Sequence, residues 1–184
     1  MLQGIDYTGK LIGSIDFIEA SWDRKWSEPG QFMIYMTLTE YNRLDGKGIK
    51  YVENVGRPEQ GIIQKIEYQK ETEGAFATVS GFFADKLLDF CAYRKTQVLK
   101  ASNTESVKAA FLSYISNANA SVTVEGKTYK PVGAVNVKDE SEYPASIEIS
   151  IEQGKQMGTA LYEALSDSGY GVLTGVEGYP ADDN

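Results

Sequence analysis

Apolar and polar residues alternate through much of the first half of the chain, and the period changes partway along it. Phe32, Ile34, Met36 and Leu38 share one side of an extended segment, with Met33, Tyr35 and Thr37 opposite, the period of a half-buried strand. Upstream, residues 11–17 predict a first strand after the turn Thr8-Gly9-Lys10, and residues 20–26 a second extended run. Ser27-Glu28-Pro29-Gly30 predicts a type II turn, in which proline presets its φ and glycine takes the positive one. Residues 39–44 predict a short helical turn ended by Asp45-Gly46. Residues 62–68 and 76–81 alternate on either side of Glu71-Thr72-Glu73-Gly74, which predicts a hairpin. From residue 82 to 90 the period becomes helical, with Phe83, Leu87 and Phe90 at three-to-four spacing.

The second half has a different rhythm. Ser102 and Glu105 have the S-x-x-E spacing of a capping box, with Asn103 and Thr104 as alternative caps. Val107, Phe111, Leu112 and Ile115 then form the apolar stripe of a helix of about four turns, ended by Asn117-Ala118-Asn119. Residues 122–129 predict a hairpin around Glu125-Gly126, residues 134–137 a short strand, and Ile147, Ile149 and Ile151 a half-buried strand. A last helix over residues 155–166 groups Met157, Leu161 and Leu165. Gly169 closes it, before a strand at 170–173. The expected fold class is α+β and mainly antiparallel β. A barrel-like first domain, residues 1–93, is followed by a smaller α+β domain with two helices, residues 94–184, and residues 92–97 offer a hinge.

Composition narrows the chemistry. The chain has 184 residues, 42% hydrophobic and 24% charged, which are ordinary globular values. No stretch approaches the roughly 20 apolar residues of a membrane span. Met1-Leu2-Gln3-Gly4-Ile5-Asp6 lacks the basic and apolar regions of a secretory signal, so a soluble product with no membrane insertion is expected. A net charge of −8 repels polyanions, and no nucleic-acid partner is expected. Arg94-Lys95, with Lys86 and Lys100 nearby, is too dilute to form a basic stripe.

The chain has no histidine, which removes the usual general base near neutral pH, the Ser-His and Cys-His pairs and the commonest zinc ligand. Its one cysteine, Cys91, lies in the apolar run Leu87-Leu88-Asp89-Phe90-Cys91-Ala92-Tyr93 and reads as a small packed hydrophobe. Asp139-Glu140-Ser141-Glu142 lacks the glycine turn and spaced oxygens of a calcium loop and reads as a solvated segment. Glu148 and Glu152 on one strand would stand about 13 Å apart, beyond glycosidase carboxylate separations. Gly154-Lys155-Gln156-Met157-Gly158-Thr159 has the wrong order for a phosphate loop and reads as a helix start. The expectation is a non-enzyme without catalytic residues, metal or cofactor.

Aromatic residues are the candidate contacts. Trp22 and Trp26, four apart on an extended run, share a face that suits packing or a subunit contact better than a sugar platform. Tyr35, Tyr41 and Tyr68 are further interface candidates, because a rigid amphipathic ring suits wet contact surfaces.

An ordered set of segments carries a family resemblance. Trp22 through Trp26-Ser27-Glu28-Pro29-Gly30-Gln31-Phe32 resembles the aromatic strand and E-P-G-x-F turn of siphophage tail proteins of the baseplate-hub type. Gly61-Ile62-Ile63-Gln64-Lys65-Ile66-Glu67 and then Val79-Ser80-Gly81-Phe82-Phe83-Ala84-Asp85-Lys86-Leu87-Leu88-Asp89 resemble that family's hairpin and following helix. The resemblance runs over nearly the whole chain and implies a structural part of a tail tip. It implies a homotrimeric parent protein whose barrel-like domains build the ring capping the tail tube. The implied partners are tail-tube, distal-tail and tail-fibre components, and the implied location is the virion tail of a phage or prophage. Family members continue beyond Pro180-Ala181-Asp182-Asp183-Asn184, which implies sheet edges without their usual partners here.

Overall fold

The computed structural model describes residues 1–25, 28–93, 96–103, 109–110, 112–113, 115–116, 121–129 and 146–166. They divide into two compact units, one made of Met1–Lys25 and Pro29–Asp85, the other of Glu28 and the described residues from Lys86 onward. The class is α+β, and every strand pairing is antiparallel.

The first unit contains β1 (Leu2–Asp6), β2 (Leu11–Ser14), β3 (Glu19–Asp23), β4 (Gln31–Thr37), α1 (Leu38–Asp45), β5 (Ile49–Asn54), β6 (Gln60–Glu71) and β7 (Gly74–Phe83). Seven strands form one sheet in the order β2-β1-β5-β6-β7-β4-β3. The two ends of that order are neighbours in sequence, and this forces the sheet to curl. Laid flat, strands about 4.8 Å apart would hold β2 and β3 roughly 29 Å from each other. The five Cα steps from Ser14 to Glu19 span at most roughly 18 Å. Six antiparallel steps also leave β2 and β3 pointing the same way. Residues 11–23 therefore act as one extended segment that leaves β1 and joins β4. The Ile15 N–H still donates to the Leu2 carbonyl at 2.9 Å, and the Ile18 N–H already donates to that of Tyr35 at 2.8 Å. No hydrogen-bonded rung joins β2 to β3 among the described residues, so the chain itself, rather than a ladder, completes the barrel-like curl.

The core lies inside this curl. Phe32, Ile34 and Met36 of β4 are buried with Ala77, Val79 and Phe83 of β7, Val52 of β5, and Leu2, Tyr41 and Leu44. The alternation expected over residues 32–36 holds. Leu38 leaves the strand because Thr37 caps a helix instead, its hydroxyl accepting the Glu40 N–H at 3.2 Å. The Phe32 ring lies against Gly61 and Gly81, where a Cβ would come within 2.6 and 3.0 Å of Cε1. Burying this ring contributes about 2–3 kcal/mol, and it needs both glycines.

Several elements differ from the sequence expectation. β1 was not anticipated, because a bulge between Gly4 and Ile5 breaks its alternation. Gly30 does not take a positive φ; it is required because a Cβ would meet the Phe83 ring at 2.5 Å and the Asp23 carbonyl at 2.6 Å. Phe82 and Phe83 remain in β7, and residues Ala84–Phe90 form a 3₁₀ helix. Its three-residue turn buries Asp85, Leu88 and Cys91 in succession and leaves Phe90 67% exposed.

The second unit contains β8 (Gln97–Ala101), β9 (Val122–Val124), β10 (Lys127–Tyr129), β11 (Ile147–Ile151) and α2 (Met157–Ser166). β11 pairs with β8, a strand the sequence reading did not anticipate. β9 and β10 form the expected hairpin, with Glu125 and Gly126 at φ 50° and 77°, the left-handed pair of a type I′ turn. Met157, Leu161 and Leu165 are buried together as the helical period required. Residues 91–93 run beside the start of α2: Met157 N–H donates to Cys91 C=O at 2.8 Å, and Tyr93 N–H to Lys155 C=O at 3.0 Å. Residues 109–110, 112–113 and 115–116 are helical, and Leu112 is 43% exposed rather than part of a covered stripe. Val107, Phe111, the strand at 134–137, the acidic run 139–142, Gly169 and the strand at 170–173 lie outside the described residues.

Candidate interaction surfaces

Helix α1 clasps the segment where the chain passes from β1 to β4 in the curled sheet. Glu40 is buried, and its carboxylate accepts the Asp16 N–H at 3.0 Å. Arg43 donates to it from Nε at 2.7 Å and from Nη2 at 2.5 Å. The same Nη2 reaches the Ser14 carbonyl at 2.8 Å. The guanidinium hydrogen bonds, helped by the Asp16 N–H, hold the Glu40 carboxyl below its ordinary range against the opposing effect of burial. Sequence reasoning passed over this pair, although Thr37-Leu38-Thr39-Glu40 has capping-box spacing and Arg43 follows Glu40 by three.

The aromatic candidates separate into different environments. Trp22 points inward from β3, its ring 4.7 Å from that of Phe83 and 5.7 Å from that of Phe32. Its Nε1 is buried without a hydrogen-bond partner, and the half-buried ring packs against the core. Trp26 lies outside the described residues. Tyr35 is half-buried on the opposite face of β4 and stacks on Phe76 at 5.2 Å. Burial and then the charge of Glu71 push its phenol up. Tyr41 is buried, donates to Asp45 Oδ1 at 3.2 Å, and meets Tyr68 edge-on at 5.7 Å. Burial leads the rise of the Tyr41 phenol above its ordinary value.

Tyr68 belongs to a larger feature. β5 pairs with β6 only from Gln60 to Ile62, so from Ile63 to Glu71 strand β6 pairs with β7 alone among the described residues. Within that stretch Ile66 stands opposite Val79 and Tyr68 opposite Ala77, both core positions. Ile66 and Tyr68 thus belong to the core-facing row, yet they are 37% and 64% exposed because no strand continues the sheet beyond them. On the other face Lys65 and Glu67 form an exposed ion pair at 2.8 Å. β3 presents a second edge without a partner strand among the described residues, with Glu19, Ala20, Ser21 and Asp23 exposed.

Other polar groups stay within the structure. Arg24 pairs with the buried Glu59, Lys86 with Asp89 at 2.6 Å, and Lys100 with Glu148 at 2.7 Å. Lys86 and Lys100 are therefore neutralised locally, and Arg94 and Lys95 lie outside the described residues. Cys91 is fully buried, which pushes its thiol up and away from nucleophilic use. Among the described residues no group of three or more acidic or thiol side chains could hold a metal, and no helix is long and apolar enough to cross a membrane.

No protein family model and no curated relative matches this chain. Among solved structures, the prophage tail protein gp18 from Listeria monocytogenes EGD-e superposes with a TM-score of 0.54. The chain has the fold of a prophage tail protein. Sequence identity to gp18 is 10%, so the likeness is one of fold. The match covers 94% of this chain and 46% of gp18, and the chain thus spans less than half the length of that tail protein. The α1 clasp, the Trp22 cluster and the β6 edge all belong to the first unit.

Proposed function

We propose that this chain is a structural part of a phage or prophage tail and contributes to the baseplate hub, the ring that caps the tail tube. The observation that supports this reading is the fold shared with the tail protein gp18 over 94% of the chain. In this reading residues 1–93 form the hub domain and residues 94–184 an α+β domain attached to it. The longest natural chain assembles as a homotrimer, and tail-tube, distal-tail and tail-fibre proteins are its partners. The chain works by contact, without a cofactor or a reaction. Exposed core-row residues on β6 are the kind of surface an assembling subunit covers.

Antibodies to this chain, applied to purified tail particles under the electron microscope, should label one end of the tail. Absence of the chain from purified particles, by mass spectrometry, would remove the tail reading. Light scattering of the longest natural chain should give a trimer, and a strict monomer would count against the ring.

A further inference from the structure

We infer that the free edge of β6, residues 64–69, pairs with the edge of β3, Glu19–Asp23, in a second copy of this chain, joining copies head to tail. This rests on the tail-ring reading and specifies the contact by which a ring would close. Both edges lack a partner strand among the described residues, and on each edge every second residue directs its N–H and C=O outward. The core-facing side chains of the β6 edge, Ile66 and Tyr68, stand exposed where the sheet stops.

Direction and height favour β3 as the occupant. Three antiparallel steps separate β6 from β3 in the sheet, so the two run in opposite directions within one copy. They also lie at one level, since Glu19 aligns with Tyr35, Tyr35 with Thr78 and Thr78 with Glu67. A copy rotated about an axis tilted to the strands, as in a closed sheet, therefore presents its β3 antiparallel to β6 and within a few residues of register. Such a heterologous contact can close a ring.

Charge then selects the register. Direct alignment would set Glu67 against Glu19, a like-charge pair. A slip of two residues, about 7 Å, keeps every side chain on its own face, and a tilt of the strands to the ring axis absorbs the stagger so that the ring still closes. It sets Lys65 opposite Asp23, Glu67 opposite Ser21 and Gln69 opposite Glu19 on the outer face. On the inner face Ile66 meets Trp22 and Tyr68 meets Ala20. Opposite charges and apolar pairs directly across an antiparallel ladder are the favourable combinations.

The test is a charge exchange read by light scattering over a dilution series of the purified chain. Lys65→Glu or Asp23→Lys alone should weaken self-association about tenfold, and the double variant should return to within about threefold of the parent. Both side chains are exposed, so circular dichroism should show the fold intact, and the unfolding midpoint should shift little at concentrations where the chain is dissociated. A trimer indifferent to both single changes would overturn this contact and leave the ring reading standing. A dimer sensitive to Lys65→Glu but not to Asp23→Lys would assign the β6 edge to two-fold self-pairing and overturn it too. A monomer at every concentration would overturn it outright.

Discussion

Replacing Glu40 should loosen the place where the chain passes from β1 to β4 in the curled sheet. Glu40→Ala removes the acceptor of the Asp16 N–H, a loss of about 1 kcal/mol where water can partly replace it. It also removes the partner of Arg43. That guanidinium is 39% exposed, so the pair contributes about 1 kcal/mol rather than the larger figure of a fully buried one. Together the loss is about 2 kcal/mol, or about 4–8 °C in Tm for a chain of this size. Glu40→Gln keeps an acceptor for Asp16 and should cost about half as much. A double-mutant cycle with Arg43→Ala isolates the pair, and amide exchange at Asp16 reads the clasp locally. The pH dependence follows from the depressed Glu40 carboxyl. A group lowered on folding contributes stability that is complete above its unfolded value and is lost as pH falls through the folded one. The parent and Glu40→Gln should therefore differ at pH 7 and converge as the pH falls through the lowered Glu40 value. A gap that survives undiminished at low pH, or an Asp16 amide equally protected in Glu40→Ala, would refute the clasp.

Gly81→Ala should be among the most damaging single changes, costing at least about 3 kcal/mol, because the new Cβ would collide with the Ile62 carbonyl across the ladder; the urea midpoint measures it. Trp22→Ala should cost about 2–4 kcal/mol by emptying the space beside Phe32 and Phe83, while Trp22→Phe should cost under about 1.5 kcal/mol, since it removes an unpartnered Nε1; calorimetry compares the two. Cys91 should react with a thiol reagent only slowly at pH 8, with the rate still rising above the pH where an ordinary cysteine levels off, since burial raises its pKa; urea should abolish the difference.

Where side-chain period and burial coincide, the fold was legible. Residues 32–36, the β6–β7 hairpin, the Glu125-Gly126 turn and the Met157–Leu161–Leu165 stripe each follow from one repeating contact on one side of one element. What escaped was set by longer-range geometry. A bulge hides β1, and a 3₁₀ turn replaces the α-period expected from Phe83, Leu87 and Phe90. The switch of residues 11–23 from β1 to β4 leaves no local mark at all, because an extended chain with a partner on either side reads alike.

The contact residues show the same division more sharply. Alternation assigns a residue to a face, but it cannot say whether anything covers that face. Chemistry alone makes both Trp22 and Tyr68 interface candidates; one is packed among phenylalanines and the other stands 64% exposed at an edge. The difference comes from strand length. β5 has 6 residues beside the 12 of β6, so their ladder must leave about half of that edge without a partner wherever it is anchored. The ladder is anchored at the Gln60 end, which places the uncovered half at Ile66 and Tyr68 and beside α1. A strand that continues past its neighbour with an apolar row still facing inward exposes core surface by construction. A strand that paired with the exposed half of β6 would cover Ile66 and Tyr68, and Lys65 and Glu67 on its outer face would limit the registers it could adopt.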